Sequence, residues 1–112
     1  MNIIKKIYLR AKAYRNLEEA IRKADAAYLK YGTRVYVIPN GNKLAIIDKS
    51  SFKRLKGKDR LDGITTMADV ERCCFYYTPR YNGAEPISPE LAKQKRQQYY
   101  SILGLTFSPF EK

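Results

Sequence analysis

The chain has no histidine among its 112 residues, only two cysteines, and half as many acids as bases. Without imidazole, Ser-His-Asp and Cys-His nucleophile systems and histidine metal sites are excluded. Cys73 and Cys74 are neighbours, and adjacent cysteines rarely bridge because the geometry is strained. No disulfide framework is expected, and reduced thiols fit a reducing compartment. Both sulfurs lie in an apolar, aromatic stretch, where cysteine packs as a small hydrophobe rather than acting as a nucleophile. Two thiols alone cannot complete a tetrahedral zinc site. Asp59 and Asp62 in KDRLDG could hold a magnesium ion with phosphates, but such residues more often form turns and here balance Lys58 and Arg60. Phosphate-cradling and dinucleotide glycine motifs are also missing. The expectation is therefore no catalytic residue, no metal, no cofactor and no enzyme activity.

Long apolar runs are absent too, and no segment approaches the ~20 residues of a spanning helix. The start, MNIIKKIYLRAKAYR, lacks the apolar stretch and cleavage site of a secretory signal. A product of the cytoplasm, or one assembled there, is expected.

What is present is positive charge and tyrosine. Twenty-two Lys and Arg against 11 Asp and Glu leave a net charge of +11. Such a field favours polyanions: nucleic acid, acidic protein surfaces or anionic lipid. Three basic clusters stand out: Lys5, Lys6, Arg10, Lys12 and Arg15; then Lys53, Arg54, Lys56, Lys58 and Arg60; then Lys93, Lys95 and Arg96. These are the candidate polyanion or partner-binding residues. Ten tyrosines add rigid amphipathic contacts suited to a protein interface or to stacking. Tyr14, Tyr28, Tyr31 and Tyr77 are expected to sit half-buried around the core, and Tyr8, Tyr99 and Tyr100 to be exposed. No helix-turn-helix or RNA-recognition signature is legible, so phosphate contact is favoured over base readout.

The length fits one domain. An α+β fold is expected: a long N-terminal helix, one β-hairpin at about 33–48, and two or three short helices. Residues 1–32 would be the basic amphipathic helix, 33–104 the core and 105–112 a tail with Phe107 and Phe110, all in one domain. Ile3, Ile7, Tyr14, Leu17, Ile21, Ala24, Tyr28 and Tyr31 form a heptad-like stripe interrupted at Arg10, and Gly32 is a natural stop. Asn16 with Glu19 resembles a capping box, so a break there is an alternative. In RVYVIPNGNKLAIID, β-branched and aromatic residues flank Pro39-Asn40-Gly41-Asn42, which is turn chemistry. Both strands are apolar through their middles, so both faces should be covered. Asp48 or Ser50 caps a short helix, SSFKRLK. A short strand over Leu61–Thr65 is an option. Thr65 or Thr66 then caps a helix through MADVERCCFYY, stopping before Pro79. Ser88 and Pro89 open a last helix that ends at Gly104.

Three stretches, YVIPNGNKLAIIDKSSFKRLKGK, DVERCCFYYTPRYNG and SPELAKQKRQQYY, resemble a loose family of small proteins from gut Bacteroidetes and their crAss-like tailed phages. The matching residues are Ile46-Ile47-Asp48, Phe52, Leu55, Glu71, Arg72, Cys74, Phe75, Tyr77, Thr78, Pro79, Asn82-Gly83 and Tyr99. They span roughly 35–100 and leave the first helix outside. The family motif carries no assigned chemistry, so the resemblance implies an origin rather than a site. It points to a phage or mobile element, whose small basic proteins often serve in virion assembly or travel with DNA. The expected function is a non-catalytic basic assembly protein, a virion structural or auxiliary component docked on a capsid, portal or tail. The alternative is a nucleic-acid-binding accessory protein contacting DNA or RNA phosphates. Localisation would be the virion or the host cytoplasm. Self-association through the first helix or the hairpin is a further option.

Overall fold

The structure is a computed structural model, and it describes residues 2–40, 43–56 and 66–105. Its first element, α1, runs from Ile3 to Tyr31 without a break at Asn16. The Asn2 side chain accepts from the Lys5 amide at 2.7 Å and starts the helix. Gly32 ends it at φ 72°, a left-handed conformation, with its amide bonded to the Tyr28 carbonyl.

A hairpin follows, β1 over Tyr36–Asn40 and β2 over Lys43–Ile47, with Asn40 opposite Lys43. Pro39 and Asn40, expected in the turn, lie inside β1; positions 41 and 42 fall outside the described residues. Proline breaks no ladder bond here, because Val35 and Val37 point their carbonyls away from β2 and Pro39 shares their orientation.

Asp48 caps α2, Lys49–Lys56, by accepting from the Ser51 amide at 2.7 Å. Residues 57–65, including the strand option at Leu61–Thr65, lie outside the described residues. Thr66 caps α3, Met67–Cys73, in a reciprocal capping box with Asp69.

The helix expected to reach Tyr77 ends four residues earlier. Tyr76–Tyr77 form a third strand, β3, antiparallel to the free side of β1, so the sheet order is β2-β1-β3. The Phe75 amide bonds the Val37 carbonyl at 2.8 Å, and the Thr78 amide bonds that of Val35 at 2.9 Å. Phe-Tyr-Tyr has strand propensity, and an unpaired inner edge of β1 needs partners, so pairing wins over helix continuation. Ser88 and Pro89 then start α4, Pro89–Ile102, as the sequence indicates.

Alternation along the strands divides the core into two layers. Val35 and Val37 face α1 and meet Leu17, Ala20, Ala24, Phe75, Tyr99 and Tyr100. Tyr36, Ile38 and Ile47 face the other way and meet Phe52 of α2 with Val70 and Cys74. Helices therefore cover both faces of the hairpin, which matches its doubly apolar strands. The small alanines at 13, 20 and 24 let α1 approach the sheet closely.

Candidate functional site

The first four turns of α1 carry the densest exposed apolar surface. Ile3, Ile4, Ile7, Tyr8 and Tyr14 are between 50% and 78% exposed. Lys5, Lys12 and Arg15 share this stretch and are also exposed. Half-buried Lys6 and Arg10 lie among them. The heptad-like stripe thus splits. Leu17 and Ala24 enter the core, while Ile3, Ile7 and Tyr14 remain outside. Length is the reason. A helix of 29 residues extends about 43 Å at 1.5 Å per residue, whereas a strand of five residues spans only about 17 Å. The sheet cannot cover the whole helix, and the longest dimension of the molecule is 44 Å.

The α4 helix runs beside this arm. The Arg10 guanidinium lies 4.8 Å from the Tyr100 ring centre, and Arg96 lies 4.9 Å from that of Tyr14. Arg96 also bonds Glu18. The contacts 10 to 100 and 14 to 96 make the two helices antiparallel. Between them lies an open groove of about 530 Å³, with Ile7, Ala11, Tyr14 and Tyr100 in its lining. Ile102 and Leu103 at the end of α4 are 62% and 37% exposed.

The second basic cluster is on the opposite layer. Lys53 and Arg54 are exposed on α2, which packs on the sheet face away from α1. Lys56 closes that helix; Lys58, Arg60, Asp59 and Asp62 lie outside the described residues.

The third cluster is corrected by the structure. Lys93 is exposed, but Lys95 is buried at 6% exposure. Its ammonium donates to the Glu71 carbonyl at 2.9 Å and to the Cys74 carbonyl at 3.0 Å. It neutralises the carbonyl end of α3 and cannot meet a polyanion. Arg96 is half-buried and paired with Glu18. Four tyrosine expectations also fail. Tyr99 and Tyr100 are buried, with Phe75 packed 4.9 Å from the Tyr99 ring, whereas Tyr14 and Tyr31 are exposed. Tyr8 is exposed, and Tyr28 and Tyr77 are half-buried, as expected.

Cys74 is fully buried; Cys73 is only half-buried. Burial pushes the Cys74 thiol above its usual range, outweighing the nearby Lys95 charge. A thiol held neutral is a poor nucleophile.

A concavity on the other side, also about 530 Å³, is lined by residues including Arg34, Tyr36, Lys49, Glu71 and Arg80. Sequence reading did not single out this polar group as a site. Four of its polar side chains are already engaged within the fold. Tyr36 donates to Glu71 at 3.2 Å, Arg80 bonds Glu85, and Arg34 bonds the Glu85 carbonyl while lying 4.4 Å over the Tyr77 ring. Tyr28 donates to the Arg80 carbonyl and accepts from the Gly83 amide, both at 2.8 Å. Asn82, at φ 60°, sits in the turn so held. The network pins the 80–85 loop to the end of α1. Burial first, then the Glu71 charge, raise the Tyr36 hydroxyl above its ordinary pKa.

Among the described residues, no cluster of three or more acidic or thiol side chains could hold a metal ion. Nor, among them, is any helix long and apolar enough to cross a membrane. No family model, no curated protein and no solved structure matches the chain.

Proposed function

We propose that this is a non-catalytic docking protein that seats the exposed N-terminal half of α1 on a larger protein assembly. One observation carries the reading: Ile3, Ile4, Ile7 and Tyr8 are all more than half exposed on one end of one helix, ringed by lysine and arginine. Contiguous apolar surface with a charged rim marks interaction sites on small proteins. The resemblance to proteins of crAss-like phages supports a virion setting, with a capsid, portal or tail as the assembly and with the virion or host cytoplasm as location.

Phosphate binding is the second reading, favoured by the net charge of +11 and by exposed Lys5, Lys12 and Arg15. It is weaker on geometry. Lys53 and Arg54 lie across the sheet from the arm, and Lys95 is internal, so the cations do not line one track. Co-purification with assembled particles after nuclease treatment tests the choice. Wild type should stay particle-bound, and an Ile3→Ser, Ile7→Ser, Tyr14→Ser triple variant should be released. Retention of that variant, or release by nuclease alone, rules the docking reading out.

A further inference from the structure

We infer that the free edge of β2 pairs with β2 of a second copy of this chain, across a two-fold axis at Ala45. Three strands from each copy then make one continuous antiparallel sheet. The surface is not the arm, and the inference stands apart from the docking reading. Strand β2 lies at the edge of the sheet, with β1 as its neighbour. Val35 and Val37 turn their carbonyls to the β3 side, so Tyr36, Ile38 and Asn40 bond β2 through Ile47, Ala45 and Lys43. Leu44 and Ile46 therefore aim amide and carbonyl outward, and none of the described residues meets them. Sheet edges are commonly blunted by a mid-strand charge, a proline, a bulge or extreme shortness. The middle of β2 is Leu-Ala-Ile in an unbroken register, and its lysine stands at the end. The opposite edge, β3, is two residues long.

Amides and carbonyls aimed outward at alternate residues are met by another extended backbone. A second β2 fits in one register. With Ala45 opposite Ala45, Leu44 of each copy faces Ile46 of the other as a hydrogen-bonded pair, and every outward group is satisfied. Leu44 and Ile46 lie on the α1 side of the sheet, so they also pack against each other there. Room for them exists. A groove of about 350 Å³ runs between Leu44 and Ile46 and the flank of α1 bearing Asn16, Glu19 and Lys23. The helical repeat sets that flank opposite the Arg10 and Tyr14 side, which faces α4. On the other sheet face, Ala45 meets Ala45, small enough for the ~4.5 Å approach of a non-hydrogen-bonded pair. Local charge permits the pairing. Glu19 bonds Lys23 at 3.3 Å. The two Lys43 residues stand about 14 Å apart along the strands, beyond the Debye length of about 8 Å at physiological salt. The net charge of +11 on each copy opposes association at longer range, so added salt should tighten the dimer.

The test is amide hydrogen exchange on the full-length protein, dilute and concentrated, read beside sedimentation equilibrium. Sedimentation should show a dimer by about 1 mM, the weak end of specific association. The Leu44 and Ile46 amides should exchange freely in dilute protein and at least about tenfold more slowly where the dimer predominates. Ala45→Cys in a Cys73→Ser background should give a disulfide-linked dimer on mild oxidation, since ~4.5 Å between Cα atoms suits a bridge; Cys74 is buried and does not compete. Leu44→Pro removes an outward amide and leaves the bonds to β1. It should raise the dissociation constant at least about tenfold, with unchanged far-ultraviolet circular dichroism. A monomer at about 1 mM overturns the inference. So does slow exchange of both amides in dilute monomer, which means that the chain covers its own edge. A dimer that leaves these amides unprotected, or that is lost in Ile7→Ser, uses another surface and also overturns it.

Discussion

Ile7 and Leu17 sit ten residues apart on the same unbroken helix, yet Ile7 is 56% exposed and Leu17 is 1% exposed. Beneath Leu17 lie Val35, Val37 and Phe75 of the sheet. At Ile7 the neighbour is the last part of α4. The residue types are alike; the available partner surface differs. From Leu17 onward α1 packs mainly into the core; before it, Leu9 and Ala13 face the core while Ile3, Ile4, Ile7 and Tyr8 are apolar surface the fold leaves exposed. An apolar face that its own fold leaves uncovered is informative about function, because burying it elsewhere lowers free energy.

Several substitutions would break or sharpen this contrast. The largest effect is expected for Leu17→Ala, which should cost about 2–5 kcal/mol in urea unfolding, the range for buried large-to-small changes. A loss below about 1 kcal/mol would mean the C-terminal half is not the core. Thr78→Val should come next. Buried Thr78 accepts the Val35 amide at 2.8 Å, and an orphaned buried amide costs about 1–3 kcal/mol. A similar loss is expected for Lys95→Met, which takes this donor from the buried Cys74 carbonyl and leaves the Glu71 carbonyl with the weak Cys74 thiol donor, whereas Lys93→Met should stay within about 0.5 kcal/mol. Equal effects at the two lysines would contradict the burial of Lys95.

Alkaline titration probes the same core. The Tyr76 hydroxyl donates to Asp25 at 2.7 Å, and burial first, then that carboxylate, raise its pKa; Tyr36 shifts the same way. Groups raised on folding stabilise the protein below their unfolded pKa of about 10 and lose that contribution as pH climbs through the folded value. The melting temperature should therefore fall steeply above pH ~10, and less steeply in Tyr76→Phe. The smallest effect is expected for Ile7→Ala, within about 0.5 kcal/mol. A larger loss would show that the arm belongs to the core and would remove the ground for a docking surface.

The arm illustrates how far the sequence carries the candidate site. Its basic residues and heptad-like spacing are legible in the first 15 positions. Its exposure is not, because a stripe of Ile, Tyr and Leu reads alike whether a sheet lies beneath it or not. Lys95 shows the converse. Next to exposed Lys93 and half-buried Arg96 it reads as one more surface cation, and only the approach of α4 to the end of α3 supplies the carbonyls that draw it inside.

The amino-acid sequence alone determined the parts of this protein that depend on neighbouring residues. Asn2 and Gly32 bound α1; Asp48, Thr66 and Ser88 start the later helices; β-branched runs around a turn make the hairpin. Each is a local hydrogen bond or a local backbone preference, acting within a few residues. Tertiary structure decided the rest. It turned Tyr76–Tyr77 into a strand, buried Tyr99, Tyr100 and Lys95, and left Ile3 to Tyr8 uncovered. Those outcomes follow from which distant groups arrive opposite each side chain, and no local pattern encodes that.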